Sequence, residues 1–189
     1  MKQLFFILIC SPLLLLTSCE NDQSVSYKFT GLKAANVNTS AGLPQVDNSD
    51  SIRKEIYGIR LYLYPVEVSR TGRSFDPSES GVMPVDPIAD IDITSDVPLD
   101  SAYPAGSELT SCFYYLPGTY FHIVPLSDGS AFEPTAKYNS DYAEHNFPEY
   151  ADLLLARVPA NFAFRKFYIK LKYRSGYYRT DSTNLVKLY

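Results

Sequence analysis

Carboxylates are the side chains of this 189-residue chain that come closest to a catalytic or metal-binding set. Asp90 and Asp92 alternate within a strand-like segment, so they would share one face about 6–7 Å apart. A carboxylate pair near this spacing can hydrolyse a glycosidic bond. Together with Asp96, the pair could instead supply oxygen ligands to Ca²⁺, which takes about 6–8 of them. Because every i, i+2 pair on a strand shows this spacing, a solvated acidic surface is the simplest interpretation.

Other catalytic chemistry has little support in the sequence. We interpret His122 as a strand residue and His145 as a solvated loop residue. Two histidines and one cysteine in the body of the chain do not make a closed zinc site of the usual spacing. The spaced motifs of zinc proteases, serine hydrolases, phosphate-binding loops and EF-hands do not occur. The sequence therefore predicts a protein that is not an enzyme, with no catalytic residues and no cofactor.

An apolar run over residues 4–16 ends in Thr17-Ser18-Cys19, two small residues followed by cysteine. This is the pattern of a bacterial lipobox. It predicts a signal peptide over 1–18, diacylglycerol on the Cys19 thiol and an acyl chain such as palmitate on the new N-terminus. A spanning helix is the alternative, but the run is shorter than the roughly 20 residues that such a helix needs and contains Pro12.

The number of cysteines that remain in the folded domain determines whether a disulfide is expected there. Cys10 would leave with the signal peptide and Cys19 would carry lipid, so Cys112 would be the single thiol of the folded part. A disulfide within the body is then impossible. The apolar neighbours of Cys112 predict a buried and unreactive thiol.

The charge balance narrows the range of partners. The chain has 17 basic and 21 acidic side chains. This acidic excess disfavours nucleic acid, which needs clustered Lys and Arg, and it also disfavours electrostatic attachment to an anionic membrane. We therefore expect the lipid on Cys19 to supply the membrane attachment. Glu20-Asn21-Asp22, within a tether over 19–24, resembles the signal that exports Bacteroidota lipoproteins, and predicts an outer-membrane location facing the cell exterior.

Tyrosine is the unusual component of this composition, with 16 residues and no Trp in the chain. Outward-facing strand positions or turns predict exposed rings at Tyr62, Tyr64, Tyr168, Tyr177 and Tyr178. Tyrosine is amphipathic and orders at low entropic cost, so it is common at binding surfaces. We predict that these rings bind a protein or glycan partner, and the absence of Trp favours a protein. The alternative is that they fill the edges of a sandwich.

Alternation of apolar and polar residues indicates the elements that must position these side chains. Strands are predicted over 25–30, 56–64, 88–94, 119–126, 152–159, 164–174, 177–180 and 185–189, although the spacing of apolar residues in 152–159 also fits a helix. Residues 109–115 read as a strand or a helical turn, and 35–51, 72–87 and 134–150 read as irregular connections. We expect Pro65 to end its strand or to place it at an edge. About seven to eight strands with at most one or two short helices predict a single all-β domain over 25–189, an antiparallel β-sandwich of immunoglobulin or transthyretin-like type.

The central part of the chain carries a family resemblance. Residues Ile88–Ser95, then Ser101–Ser107 and Leu109, resemble the central signature of a Bacteroidota lipoprotein family known only as a domain of unknown function. The C-terminal hairpin over 164–189 is similar to that family as well. The resemblance implies a lipoprotein and implies no activity, since none is established for the family.

These observations leave three classes of function open. The leading hypothesis is a non-catalytic surface lipoprotein that binds a partner or takes part in an envelope assembly. The second is a fimbria-like structural subunit that matures by cleavage after Arg53 and then exchanges strands. The third is a carboxylate-based, glycan-active enzyme that uses Asp90 or Asp92.

Overall fold

The computed structural model describes residues 24–71, 81–117, 124–125 and 149–189. Within these ranges the chain consists mainly of strands, with two single-turn 3₁₀ helices, which confirms the all-β prediction. The predicted signal peptide with Cys10 and the lipobox that ends in Cys19 lie outside the described residues. So do His122 and His145.

The described residues form thirteen strands and two short helices. The strands are β1 Ser24–Asn38, β2 Gln45–Val46, β3 Ser51–Ile52, β4 Tyr57–Thr71, β5 Gly81–Pro84, β6 Ile88–Ser95, β7 Phe113–Pro117, β8 Val124–Pro125, β9 Glu149–Leu155, β10 Ala163–Arg165, β11 Phe167–Tyr173, β12 Tyr178–Ser182 and β13 Val186–Leu188. The 3₁₀ helices are Lys54–Ile56 and Thr110–Cys112. There are more strands than predicted because pieces of two to four residues extend the sheets.

The strands form three sheets. The large sheet has the order β2-β1-β4-β9-β7-β8, with β5 also paired to β1. A three-stranded sheet has the order β12-β11-β6. A second three-stranded sheet, built from shorter strands, has the order β10-β13-β3, and we call it the distal sheet. All described pairings are antiparallel except β1 with β5 and β13 with β3.

The core lies between the inner faces of the large sheet and the β12-β11-β6 sheet. It is formed by alternate residues of the predicted strands, which are buried as their pattern required: Ile59, Leu61 and Leu63 on β4, Leu153 and Leu155 on β9, Ile91 and Ile93 on β6, and Phe167, Ile169, Leu171 and Tyr173 on β11. Each fully buried aliphatic side chain stabilises the fold by about 1.5–3 kcal/mol. Burial of this inner row fixes which residues of β6 and β11 face solvent.

The prediction that Pro65 ends its strand is wrong, since β4 continues through Pro65 to Thr71. The alternative, that Pro65 lies at an edge, holds among the described residues, because β9 pairs with β4 only from Gly58 to Leu63 and β1 is the one described strand beside Pro65. Phe29 pairs with Pro65 and Gly31 with Tyr64, so Thr30 is an extra residue at a β-bulge. A bulge is one of the few positions in a sheet that accept proline, because the ladder is already interrupted there.

Two predicted connections contain strand residues instead. β1 runs on to Asn38, because β4 pairs with it along its whole length and β2 pairs with its end. β5 adds to the start of β1 as a parallel strand. The alternatives for residues 109–115 both hold in part, since the 3₁₀ helix Thr110–Cys112 is followed directly by β7.

The predicted strand over 164–174 is two strands that belong to different sheets. The break falls at Lys166, whose backbone N–H donates to Asp96 Oδ1 at 2.8 Å and whose carbonyl accepts from the Asp96 N–H at 3.3 Å. Similarly, β9 ends at Leu155, so Val158 is exposed rather than buried in a strand. Periodicity does not reveal where a chain changes sheets, because both pieces keep the same alternation.

Hydrogen bonds from outside the ladders cover two of the sheet edges. On the β6 edge, the N–H of Leu109 donates to Ile93 O at 2.7 Å and Thr110 Oγ1 donates to Ile91 O at 3.0 Å. On the β1 edge, the N–H of Ala34 donates to Asp181 Oδ2 at 2.7 Å. Covered edges of this kind discourage pairing with other chains.

Gly58 lies where β4 passes closest to its neighbours. A Cβ at this position would lie 2.7 Å from the backbone oxygen of Leu153 and 3.0 Å from Val37 Cγ2. We expect Gly58→Ala to lower the free energy of unfolding by about 1–3 kcal/mol, because backbone atoms must move to admit the methyl group. Urea denaturation followed by circular dichroism measures the change.

Gly31→Ala is the matched control for this substitution. Its Cβ would lie 2.9 Å from Cδ2 of the Tyr64 ring, which is a side chain that can rotate away. We expect a loss below about 1 kcal/mol. Equal losses in the two variants would contradict the close backbone approach at Gly58.

Candidate functional site

The outer face of the β12-β11-β6 sheet is a regular array of polar and aromatic side chains. Because the alternate residues of β11 are buried in the core, the residues between them face solvent. The strand registers place nine residues in three rows across the sheet: Ser182, Tyr168 and Thr94; Thr180, Lys170 and Asp92; Tyr178, Lys172 and Asp90. We call these nine residues the tyrosine–lysine face.

Two predicted binding residues, Tyr168 and Tyr178, lie on this face and are 45% and 55% exposed. The Lys170 ammonium is 4.6 Å from the centre of the Tyr178 ring, and the Lys166 ammonium is 5.8 Å from that of Tyr168. Cation–π contacts at exposed positions contribute about 0.5–1 kcal/mol each. Lys170 and Lys166 therefore contact the two rings and leave about half of each tyrosine exposed to solvent.

Asp90 and Asp92 also lie on the tyrosine–lysine face, as their spacing predicted. Both carboxylates bind the same ammonium: Lys172 Nζ is 3.0 Å from Asp90 Oδ2 and 2.9 Å from Asp92 Oδ2. Hydrogen bonds to Asp92 and then to Asp90 raise the pKa of Lys172. An ammonium therefore lies where a divalent cation between the two carboxylates would have to bind.

Asp96, the third calcium candidate, is not part of this group. It lies beyond the end of β6, where its carboxylate accepts the backbone N–H of Lys166. No group of three His, Cys, Asp or Glu side chains within the described ranges is arranged to hold a metal ion.

The other predicted tyrosines lie elsewhere. Tyr177 is exposed at the β11–β12 turn, with the Arg179 guanidinium 5.3 Å from its ring centre. Tyr62 and Tyr64 lie on the outer face of the large sheet, since Leu61 and Leu63 face the core. The predicted surface is therefore divided between two sheets, and the sequence pattern could not show this because it does not say which strands share a sheet.

The outer face of the large sheet contains an ion pair that sequence reasoning missed. Arg60 and Asp152 are directly opposite across β4 and β9, and their side chains form two hydrogen bonds of 2.7 Å. Arg60 Nη2 also donates to Pro44 O at 2.9 Å, and the guanidinium is 4.2 Å from the centre of the Tyr150 ring. The arrangement joins two strands and a loop.

Burial and pairing act in opposite directions on the carboxyl group of this ion pair. Asp152 is almost fully buried, and burial raises its pKa while the hydrogen bonds from Arg60 lower it. The hydrogen bond to Asp152 is the main cause that raises the pKa of Arg60. Because both charges are already satisfied within the protein, we interpret the pair as structural.

The Cys112 thiol is buried, as predicted, and burial raises its pKa. A thiol with a raised pKa holds little of the nucleophilic thiolate at neutral pH. Cys112 is therefore a core residue and not a candidate nucleophile.

Within the described part of the chain, no helix is long and apolar enough to span a membrane. Comparisons with family models, curated proteins and solved structures found no match to this chain. Membership of the lipoprotein family stays a prediction.

The arrangement around Lys172 predicts how the protein responds to calcium. We expect added Ca²⁺ to leave the melting temperature of the unmodified chain unchanged, because the Lys172 ammonium already neutralises Asp90 and Asp92. Lys172→Met removes this ammonium, so Ca²⁺ should then raise the melting temperature through ordinary ligand linkage. Differential scanning fluorimetry with and without Ca²⁺ measures both responses.

Lys166→Met is the control, because it removes a nearby ammonium but leaves Lys172 in place. It should stay insensitive to Ca²⁺. A calcium-dependent rise in the unmodified chain would show that these carboxylates, or others, bind the ion despite Lys172.

Proposed function

We propose that this protein is a non-catalytic, lipid-anchored outer-membrane lipoprotein that binds a protein or glycan partner on the cell exterior through its tyrosine–lysine face. The observation that carries the proposal is the ordered array on β6, β11 and β12. It presents two half-exposed tyrosine rings with ammonium groups beside them. Tyrosine and cationic side chains of this kind supply contact area and directed polar contacts at interfaces.

The charges of the face indicate the chemistry of the partner. Lys172 is neutralised by Asp90 and Asp92, whereas Lys170 on the face and Lys166 beside it have no carboxylate partner among the described residues. A partner with acidic groups beside apolar or planar ones would complement this face. The absence of Trp from the chain favours a protein over a carbohydrate.

The length of β1 supports display away from the membrane. β1 begins at Ser24, five positions after the predicted lipid site at Cys19, and continues for 15 residues. At about 3.3 Å per residue, its 15 residues extend roughly 45–50 Å. With β1 directed away from the membrane, the far end of the sandwich would lie at about this distance from its anchor, where other molecules can reach its surfaces.

Crosslinking on intact cells tests the proposal. The lipidated protein is crosslinked at the surface, recovered, and its partners are identified by mass spectrometry. We expect one dominant envelope partner, and we expect the double variant Tyr168→Ala/Tyr178→Ala to reduce its recovery at least about tenfold, because aromatic anchors carry much of the binding energy of an interface.

Tyr114→Ala is the matched control, since Tyr114 is 41% exposed but belongs to β7 of the large sheet. It should recover the partner as well as the unmodified chain does. Equal recovery with the double variant, at unchanged melting temperature, would reject the tyrosine–lysine face as the binding surface.

A fimbria-like structural subunit is the second candidate, and the position of Arg53 favours it. The Arg53 side chain is 64% exposed and directly follows β3. All of β1 precedes Arg53, and β1 pairs with β4 at fourteen positions while burying Tyr27, Phe29 and Ala34. Release of the segment up to Arg53 would open one edge of β4, and such an edge can accept a strand from another molecule.

Limited digestion with an arginine-specific protease tests this second candidate. If it is correct, cleavage after Arg53 produces a ladder of oligomers on size-exclusion chromatography, and Arg53→Gln, which blocks the cut, leaves a monomer. A chain that is cleaved after Arg53 and stays monomeric would reject strand exchange.

A further inference from the structure

Two arginines of this fold with little exposure, Arg60 and Arg165, differ in how their charge is neutralised. Arg60 has its Nε–Nη2 edge filled by the Asp152 carboxylate. Arg165, in β10 of the small distal sheet, is 0% exposed, and no described carboxylate lies within salt-bridge distance of it. Its Nη2 donates to Asn161 O at 3.3 Å, while Nε and Nη1 have no acceptor among the described residues.

The groups around Arg165 do not supply the missing negative charge. The Tyr57 hydroxyl acts electrostatically on the guanidinium but donates its own proton to Asn36 Oδ1 at 2.8 Å. Among the described residues, Asp96 is the one carboxylate that contributes to the electrostatics of Arg165, and it is exposed and accepts the Lys166 N–H.

A buried guanidinium without a counter-charge is energetically costly. Arginine does not lose its proton in proteins, so it cannot escape the cost by becoming neutral. Burial of an unpaired ion costs several kcal/mol even after the protein relaxes. Burial also lowers the pKa of Arg165, in agreement with an uncompensated charge.

We propose that the Arg165 guanidinium binds a small monovalent anion, such as chloride, through Nε and Nη1. One negative charge neutralises one guanidinium, and full enclosure of the side chain favours a small ion. β10 is a three-residue edge strand, so it can open locally and admit the ion without unfolding of the sandwich. The site lies on a different sheet from the tyrosine–lysine face and does not depend on the proposed binding function.

The bound anion would stabilise the point at which the chain changes sheets. Arg165 directly precedes Lys166, where β10 of the distal sheet ends and β11 of the sandwich begins after one residue. The structure therefore predicts that stability depends on the kind of anion present and not only on ionic strength.

Thermal unfolding in which chloride replaces gluconate at constant ionic strength tests the proposal. The melting temperature of the unmodified chain should rise by several degrees and then saturate. Arg165→Met should show no such rise. It should equal or exceed the unmodified chain in gluconate, because it removes an unpaired buried charge, and fall below it in high chloride.

Arg174→Met is the control for a general charge effect, since Arg174 is exposed. It should respond to chloride as the unmodified chain does. No response in the unmodified chain, or the same response in Arg165→Met, would overturn the proposal.

Bromide in crystals of the unmodified chain provides a readout that does not require Arg165→Met to fold. An anomalous peak within hydrogen-bond distance of Arg165 Nε or Nη1 supports the site. A water molecule or a protein acceptor at those atoms, with no anomalous signal, overturns it.

Discussion

The arrangement of the three sheets depends on the contacts of one side chain, the Phe167 ring. It is the first residue of β11, immediately after the chain leaves the distal sheet at Lys166. Its ring centre is 5.3 Å from that of Tyr57 at the start of β4 and 5.8 Å from that of Phe113 at the start of β7. Its backbone N–H and carbonyl both bond to Thr183, which precedes β13. One residue therefore joins the large sheet, the β12-β11-β6 sheet and the connection to the distal sheet.

The position of Phe167 determines the surface on the other side of the same sheet. Because side chains of a strand alternate, burial of Phe167, Ile169 and Leu171 places Tyr168, Lys170 and Lys172 outward. A register slip of one residue would move the lysines into the core, so the core strongly specifies the register. The tyrosine–lysine face is thus a consequence of core packing, and its geometry is as fixed as the core itself.

The contribution of a charged group to the stability of this fold depends on how deeply it is buried. Lys172 holds Asp90 and Asp92 in a partly exposed cluster, where solvent screens the charges and the net contribution to stability is small. The side chains of Arg60 and Asp152 are 15% and 4% exposed and form a bidentate pair, so loss of either partner would leave a costly unpaired charge. Arg165 is buried with no carboxylate beside it among the described residues, and this contrast is what indicates an anion there. Exposed pairs shape the tyrosine–lysine face, whereas buried groups constrain the fold.

The sequence by itself determined the properties that depend on neighbouring residues. Alternation along β4, β6 and β11 identified strands, the all-β class and the buried inner rows, because period-two burial is a local property of a strand. The lipobox at Cys19 is likewise a local signal, and it stays a prediction.

Only the tertiary structure decided which distant residues meet. The bulge that accepts Pro65, the break at Lys166 and the division of the tyrosines between two sheets all depend on strand pairing. The contacts of Lys172 with Asp90 and Asp92, and of Arg60 with Asp152, depend on strand pairing in the same way. They join residues about 80–90 positions apart. Local periodicity does not indicate the order of strands in a sheet, so it could not predict these contacts.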